Sequence, residues 1–416
     1  MLSAFGMAAG LLSVQGLDWI ERRAGWQSGL DPDAARALFG TLGGAMFTFI
    51  VFMASILLLV LQIASAQLTP RVISVVHRDR VARFSLTLFA FTFTFTLAVL
   101  LRIHTTVPTL TTFICAYLCL FSLGVFLFLI EHMGKRLRPS GALQAVASLG
   151  HEVIQSVYPR QLAGPHDTSL RLADALASEP VAAISNPRDG VLLAFDHDGL
   201  VALARRAGCI VELVPQVGDF VAAGSTLFRI LGGNGGPSAA ALCQCVALGQ
   251  ERTMEQDPAF AFRIIVDIAS KGLSPAINDP TTAVLAIDQL HHLLRNVGSR
   301  QLDEGYAHDS SGSLRFVYRT PNWEDFVSLA VTEIRHFGGT SIQVARRLRA
   351  MLENLVEVLP SERNLLLKRE LALLQRSTGR FFQDPEDQAL AGVSDLQGVG
   401  GKHPAGKARN LNPMRR

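Results

Sequence analysis

The chain has 416 residues, of which 49% are hydrophobic and only 18% charged, and its net charge is +3. Soluble proteins carry about 25% charged residues, so this composition indicates a membrane protein, and so small a net charge gives no indication of a nucleic-acid partner. The five cysteines are too few and too scattered for a disulfide framework, which fits a reducing compartment.

Three uncharged apolar stretches dominate the first third of the chain. They cover residues 38–66, 84–101 and 107–130, and each is close to or above the ~20 residues that cross a bilayer as a helix. A shorter apolar stretch at about 2–14 predicts a fourth, truncated span. The sequence therefore predicts an α-helical membrane domain over residues 1–135 that contacts the lipid bilayer.

The basic residues of the connecting segments predict the orientation of these spans. Four arginines lie in the segment 68–83, and Lys135, Arg136 and Arg138 follow the last span, whereas the short segment 102–106 contains one arginine. Cytoplasmic segments are enriched in Lys and Arg. We therefore expect a multi-pass protein of the bacterial inner (plasma) membrane, with everything after residue 131 in the cytoplasm.

The polar residues inside the spans are uncharged, which argues against a proton-coupled transporter. Thr92, Thr94 and Thr96 alternate with phenylalanines, and hydroxyls in such a helix are expected to bond back to their own preceding turn. Gly40 and Gly44 form a GxxxG pattern, which allows close helix contacts but is common by chance. It is a weak indication of a homo-oligomer.

A cytoplasmic α+β domain is predicted to follow the spans. It comprises a helical connector at 136–182, a small β module at 183–231, a mainly helical domain at 232–388 and a disordered basic tail at 389–416. The turns of the β module resemble the hammerhead of biotinyl and lipoyl barrels. Those carriers attach their cofactor to a lysine, and the chain has no lysine between Lys135 and Lys271, so no carrier function and no cofactor is predicted.

Two Asp-Pro pairs open apolar runs in the helical domain. Asp257 and Asp279 predict N-caps of helices at 258–271 and 280–297, with a proline at the first helical position of each. Two capped helices joined by a turn would explain both aspartates. That interpretation leaves Arg252, Ser274 and Asn278 unexplained, and a helix N-terminus beside an arginine can bind an anion. The alternative is an anionic or polar ligand site formed by Arg252, Asp257, Ser274, Asn278 and Asp279.

Catalytic and metal chemistry have little support in the sequence. Asp288 and His292 share a helix face, but no third metal ligand is identifiable. We find no nucleophile–base pair, no complete metal-ligand set and no cofactor fingerprint, so we predict no catalytic residue and no metal site, and an enzyme is the least favoured hypothesis.

Three motifs resemble a known family. They are ASAQLTPR at 64–71, GDFVAAGSTLF at 218–228, and LGQERTMEQDPAFAFRIIVDIASKGLSPAINDPTTAVLAIDQL at 248–290. Together they resemble a bacterial family of predicted membrane proteins catalogued as domain of unknown function 2254, and the likeness covers about residues 34–380. The resemblance implies a membrane topology and brings no activity, substrate or catalytic residue.

Two functional hypotheses remain open beside the enzyme, and the first is slightly favoured because the spans are more than an anchor needs. The first is an oligomeric channel or transport-type protein, whose cytoplasmic domain assembles and gates the spans. The second is a membrane-anchored sensor or scaffold, whose cytoplasmic domain binds an anionic or polar ligand near residues 250–290. The first predicts ion flux, and the second predicts saturable ligand binding without flux.

Overall fold

The computed structural model of the chain describes residues 2–24, 27–28, 31–67, 80–103, 107–136, 139–162, 180–233, 235–302 and 305–401. The chain divides into two compact units, Met1–Ala142 and Leu143–Arg416. Most of the predicted connecting segment 68–83, residues 163–179 of the predicted helical connector, and the last part of the predicted tail, 402–416, lie outside the described residues.

The first unit is built from long helices and one short strand pair. Its helices are α1 (Leu2–Ala24), α2 (Pro32–Gln67), α3 (Arg80–Leu100) and α4 (Thr109–Arg136), and α5 (Pro139–Val157) begins at its end. Strands β1 (Gln27–Ser28) and β2 (Val107–Pro108) pair in antiparallel orientation. The unit therefore has the helical architecture that the apolar stretches predict.

Three described helices are long and apolar enough to cross a membrane. The candidate spans are Pro32–Leu59, Val81–Leu100 and Thr109–Met133, which confirms the three predicted spans. The first begins before residue 38 because the Asp31 carboxylate accepts a hydrogen bond from the Ala34 N–H (3.1 Å) and so caps α2. Helix α1 continues past the predicted segment 2–14 to Ala24 and is not among these three.

Helix α3 is the central element of the first unit and contacts α1, α2 and α4. Gly6 and Gly10 of α1 allow a close approach, because a Cβ at Gly10 would lie 2.5 Å from Thr94 Oγ1. The predicted GxxxG pair, Gly40 and Gly44, makes no such close contact, because a Cβ at either position would meet nothing within 4 Å. In the described residues, the close-packed GxxxG is therefore the one at residues 6–10.

The hydroxyls of Thr92, Thr94 and Thr96 in α3 are hydrogen-bonded inside the helix packing. Thr94 donates to Ala90 O (2.9 Å) and Thr96 to Thr92 O (2.7 Å), so the predicted back-bonding is confirmed. Thr92 Oγ1 also lies 3.0 Å from Ser122 Oγ of α4, and both side chains are buried. These polar groups connect helix to helix.

The second unit contains two small sheets. Its strands are β3 (Ala182–Ser185), β4 (Gly190–Phe195), β5 (Ile210–Leu213), β6 (Phe220–Val221), β7 (Thr226–Leu231), β8 (Val246–Gly249), β9 (Tyr306–His308) and β10 (Leu314–Tyr318). One sheet has the order β3-β7-β5-β10-β9 and the other has the order β6-β4-β8. Two short helices, α6 (His197–Ala207) and α7 (Ala239–Gln244), accompany them.

The predicted β module at 183–231 therefore needs extension. Strand β10 pairs in parallel with β5, with Phe316 opposite Val211, and β8 pairs with β4. Three strands from the segment predicted as mainly helical thus complete the two sheets. The hairpin between β9 and β10 is stabilised by Asp309, whose Oδ1 accepts hydrogen bonds from the N–H groups of Ser311 (2.9 Å) and Ser313 (3.1 Å).

Helices form the rest of the second unit. They are α8 (Pro258–Gly272), α9 (Pro280–Gly298), α10 (Trp323–Phe337), α11 (Ile342–Val358), α12 (Asn364–Phe381) and α13 (Pro385–Ala391). The predicted helices 258–271 and 280–297 are confirmed as α8 and α9. Helix α8 is almost wholly buried and contacts α9 and α10, because its side chains are apolar on nearly every face.

The predicted disordered tail, 389–416, needs correction for its first part. Helix α13 ends at Ala391, and the next ten residues are held against α11. Arg346, which is completely buried, donates hydrogen bonds to the carbonyls of Val393 (3.1 Å), Gly400 (3.1 Å) and Gly401 (3.0 Å). We call residues 392–401 the C-terminal strap. Its composition is typical of disorder, but the arginine that fixes it lies more than forty residues away in sequence.

Candidate functional site

Both Asp-Pro pairs cap helices as the sequence predicts. Asp257 accepts a hydrogen bond from the backbone N–H of Phe260 (3.1 Å), and a proline opens α8 directly after it. Asp279 accepts from the backbone N–H (3.1 Å) and the hydroxyl (2.5 Å) of Thr282, and a proline opens α9. The capping interpretation is therefore confirmed for both aspartates.

The five predicted site residues fall into two groups at opposite ends of α8. Arg252 and Asp257 lie before its first turn, whereas Ser274, Asn278 and Asp279 lie after its last turn. A helix of this length is about 22 Å long. The structure thus brings Arg252 together with Asp257, and it separates this pair from the other three residues.

The group after α8 forms a tight turn. Ser274 Oγ donates to the carbonyl of Lys271 (2.7 Å), and the N–H of Asp279 donates to the carbonyl of Gly272 (2.7 Å). Asn278 has a φ of 48°, in the left-handed region that asparagine tolerates better than most residues. These interactions account for Ser274, Asn278 and Asp279 as turn residues, and ligand binding by them stays a prediction.

Arg252 and Asp257 form an ion pair at the start of α8. The Asp257 side chain is 1% exposed and the Arg252 side chain 34% exposed. The Arg252 guanidinium also lies over the Phe260 ring, with Cζ 5.3 Å from the ring centroid. Gly218, at φ +96°, packs on the same group, because a Cβ there would lie 2.5 Å from Cζ. The arginine thus joins the turn before β6 to the start of α8.

The environment of Asp257 sets its protonation. Burial raises the pKa of this carboxyl above its ordinary value, while the Arg252 guanidinium and the backbone N–H of Phe260 oppose that rise. Arg252 therefore stabilises a carboxylate that would otherwise be costly to keep ionised inside the protein. The pair is a single unit, in which neither side chain can be removed without affecting the other.

A cleft of about 250 Å³ lies beside this pair. Five separate segments line it, at 156–158, 195–197, 216–217, 256–258 and 318–321, and all belong to the second unit. They are the end of α5, the end of β4, the turn before β6, the start of α8 and the segment after β10. A concave site at which several element ends converge is a typical place for a ligand.

Gln256 and Tyr158 hold the walls of the cleft together. Gln256 Oε1 accepts from the N–H of Phe195 (3.0 Å), and Gln256 Nε2 donates to the carbonyl of the same residue (3.3 Å). This pair of hydrogen bonds fixes the end of β4 to the start of α8. On another wall, the Tyr158 and Thr320 hydroxyls lie 3.3 Å apart. The cleft is therefore supported by defined side-chain contacts.

Asp288, one of the two residues weighed as metal ligands, has another partner, and so does His291, the residue before the other candidate, His292. Asp288 Oδ1 accepts from Arg347 Nε (2.6 Å), and His291 Nε2 lies 2.8 Å from Asn354 Oδ1. Burial lowers the pKa of His291, which favours a neutral ring in this contact. Within the described ranges, no three His, Cys, Asp or Glu side chains come together as a metal site.

A second charged cluster lies outside the cleft lining. Arg263 Nε donates to Asp267 Oδ1 (2.6 Å), four residues further along α8, a spacing that places both side chains on one helix face. The same guanidinium donates twice to Glu333 of α10, at 2.5 and 2.7 Å, and so connects α8 to α10. Bidentate Arg–carboxylate pairs are stronger than single contacts.

We expect Glu333→Gln to weaken the second unit by about 1 kcal/mol at neutral pH, since the carboxylate is partly exposed. The hydrogen bond from Arg263 lowers the pKa of Glu333 below its ordinary value of 4.5. The carboxylate therefore stabilises the fold above that value, and this contribution is lost as the pH falls through the lowered pKa. Thermal unfolding of wild type and variant between about pH 6 and about pH 3 should show the gap narrowing. A constant gap would contradict the assignment.

Sequence reasoning missed the residues that form most of the cleft. Phe195, His197, Tyr318 and Arg319 were not among the predicted site residues. Phe316 and Tyr318 alternate along β10, and this alternation is a strand signal that could have drawn attention to the segment. Its place beside Asp257 depends on the parallel pairing of β10 with β5, which no local pattern reveals.

Comparisons with known proteins agree with a membrane protein. The chain is 28% identical to the uncharacterised protein Rv1290c of Mycobacterium tuberculosis, over 94% of this chain and 78% of that protein. The uncharacterised protein Mb1321c of Mycobacterium bovis matches with the same identity and coverage. No solved structure matches the chain significantly. The model of the family described as "Predicted membrane protein (DUF2254)" matches residues 1–354, and the chain therefore belongs to that family.

Proposed function

We propose that this chain is a membrane-anchored ligand-binding protein, in which the spans anchor the second unit and the cleft beside Asp257 binds a small polar ligand. The observation that carries this proposal is the cleft itself, which is lined by five segments from distant parts of the sequence. Such sites combine an apolar lining with a few placed polar groups. A sensor or scaffold of this kind requires binding and no chemical step.

The alternative is an oligomeric channel, and the three threonines in the middle of α3 give it little support. A pore lined by hydroxyls needs these groups to face a path across the membrane. Thr92, Thr94 and Thr96 are instead buried, and each bonds within α3 or to α4. These threonines are therefore better explained by helix packing than by the lining of a pore.

Filling the cleft should abolish binding. Ser156 is exposed and lines the cleft from α5, so Ser156→Trp places a bulky ring in the cleft without disturbing the core. Gln155→Trp, at an exposed position outside the lining, is the matched control. The full chain in nanodiscs would be screened by ligand-observed NMR against nucleotides, amino acids, sugar phosphates and carboxylates. We expect a compound that binds wild type and Gln155→Trp but not Ser156→Trp. Equal binding by both variants, or ion flux in liposomes without any binding, would contradict the proposal.

The cytoplasmic location of the second unit is part of the proposal. Its support is the positive charge at the start of α3 (Arg80, Arg83) and after α4, against the short segment near Arg102. We expect a C-terminal green fluorescent protein fusion in a bacterial host to fluoresce and a C-terminal alkaline phosphatase fusion to be inactive. An active phosphatase at the C-terminus would show that the second unit lies on the opposite side of the membrane from the cytoplasm.

A further inference from the structure

One side of the cleft is aromatic. Phe195, His197 and Tyr318 all line it. The centroid of the Tyr318 ring lies 5.1 Å from that of Phe195 and 6.1 Å from that of His197. Phe316, which is completely buried, stacks on Tyr318 with the ring centroids 4.9 Å apart and the planes at 21°. The aromatic side is therefore a fixed surface whose rings support one another.

The rest of the lining and the volume limit what can bind there. Val157, Val217, Pro258 and Pro321 add flat or branched apolar surface. Drug-sized ligands occupy pockets of about 300–1,000 Å³. A cleft of about 250 Å³ is smaller, and it fits one ring system better than an extended molecule. A planar ring can gain stacking energy on such a surface whatever its substituents.

The charges around the cleft favour an anion. The carboxylate of Asp257 is already balanced by Arg252, so it offers little attraction to a cation. Arg319 also lines the cleft, is 68% exposed, and lies 3.9 Å from Asp219 at the closest approach of their charged atoms. That loose pair leaves the guanidinium able to turn towards a ligand. Among the residues that line the cleft, Asp257 is the one carboxylate, so a cationic ligand would meet Arg319 with no unpaired carboxylate in the lining.

From these observations we infer that the cleft binds a planar aromatic or heteroaromatic ring that carries one anionic group, a carboxylate or a phosphate. The ring packs against Phe195 and Tyr318, and the anionic group pairs with Arg319. This inference rests on the proposed function and adds the chemical class of the ligand. Arginine suits both anions, since its donors match the geometry of either group.

Two matched probe sets separate the ring from the charge. The first set is AMP with adenosine, which lacks the charge, and ribose 5-phosphate, which lacks the ring. The second is indole-3-carboxylate with indole and acetate, and it distinguishes a carboxylate from a phosphate. Binding would be measured with the full chain in nanodiscs by calorimetry and ligand-observed NMR. In at least one set, we expect the charged ring to bind about tenfold more tightly than either fragment.

Three variants test the assigned roles. Arg319→Ala should weaken the charged ring about tenfold and leave the uncharged ring unchanged. Arg369→Ala is the matched control, because Arg369 is 65% exposed, pairs with Glu324 at 3.2 Å and does not line the cleft; it should change nothing. Phe195→Leu should weaken charged and uncharged rings alike. Thermal unfolding of each variant identifies any that fails to fold.

The outcomes distinguish this inference from the proposed function. In one outcome, ribose 5-phosphate or acetate binds as tightly as the ring compounds. In another, only an aliphatic compound of the wider screen binds. In both, Ser156→Trp removes the binding. The ligand class is then overturned and the cleft remains a binding site. Arg319→Ala binding as tightly as wild type also overturns the class. If no compound shows binding that depends on Ser156, both the inference and the proposed function fall.

Discussion

Arg346→Ala should destabilise the second unit by about 3–5 kcal/mol, the largest effect that we expect from any single substitution. The Arg346 side chain is 0% exposed and donates to three carbonyls of the C-terminal strap, residues 392–401. Its removal takes a charged donor away from three carbonyls, and a hydrogen bond to a charged group contributes about 1.5–3 kcal/mol.

The strap has a second anchor that depends on the first. Asp395, which is 2% exposed, accepts hydrogen bonds from the N–H groups of Gln397, Gly398 and Gly400. Burial raises the pKa of Asp395, but these three donors and the charge of Arg346 together lower it below its ordinary value. Loss of Arg346 therefore also removes a charge that helps to keep this buried carboxylate ionised.

Unfolding and proteolysis together measure the effect of Arg346→Ala. Thermal unfolding of the full chain in detergent should show the loss of stability, and limited proteolysis should cut the variant within 392–401 while wild type resists. Arg369→Ala, which removes an exposed arginine from α12, should behave as wild type. A loss below about 1 kcal/mol with no new cleavage would contradict the role of Arg346.

Arg252→Ala should cost about 3 kcal/mol, the second large effect. The Asp257 carboxylate is 1% exposed and would be left buried with no cation beside it. The same change removes the group that fills the space between Gly218 and the Phe260 ring. We place the effect at the low end of the range for buried ion pairs because the Arg252 side chain is 34% exposed.

A double-mutant cycle isolates the ion pair from the packing. Asp257→Asn keeps a good N-cap and removes the charge, so it should cost only about 1 kcal/mol. The double variant Arg252→Ala/Asp257→Asn should then be more stable than Arg252→Ala alone, because no buried charge remains. Thermal unfolding of the four proteins gives the coupling. If the losses of unfolding free energy in the two single variants simply add in the double variant, Arg252 does not stabilise the ionised Asp257 side chain.

The predictions that were confirmed depend on local signals. An Asp-Pro pair before an apolar run specifies a helix start through the aspartate cap and the fixed φ of proline, and Asp257 and Asp279 both follow this rule. The three spans were predictable because length and apolarity are properties of a contiguous segment.

The features that were missed depend on contacts between distant segments. Arg252 meets Gly218 and Asp257, and only the last of these contacts is close in sequence. The pairing of β10 with β5 brings Tyr318 and Arg319 to the cleft, and neither strand carries a mark of its partner. The order of the C-terminal strap also depends on a distant contact. This glycine-rich segment is held by hydrogen bonds from Arg346, which lies on α11.

The five predicted site residues are separated in space for a related reason. Arg252, Asp257, Ser274, Asn278 and Asp279 are close in sequence, but α8 lies between the two groups and extends the chain by about 22 Å. A straight helix separates residues that are close in sequence, whereas strand pairing brings together residues that are distant in sequence. Of the five predicted residues, Asp257 lines the cleft, and the other residues of its walls became visible only in the fold.

Hydrogen–deuterium exchange on the full chain in nanodiscs tests the central claim most directly, with and without the tightest-binding compound of the screen. We expect the compound to slow exchange in the five segments that line the cleft and to leave exchange in the turn at 273–279 unchanged. The five segments lie around 156–158, 195–197, 216–217, 256–258 and 318–321. Protection confined to the spans, or to that turn, would contradict the central claim.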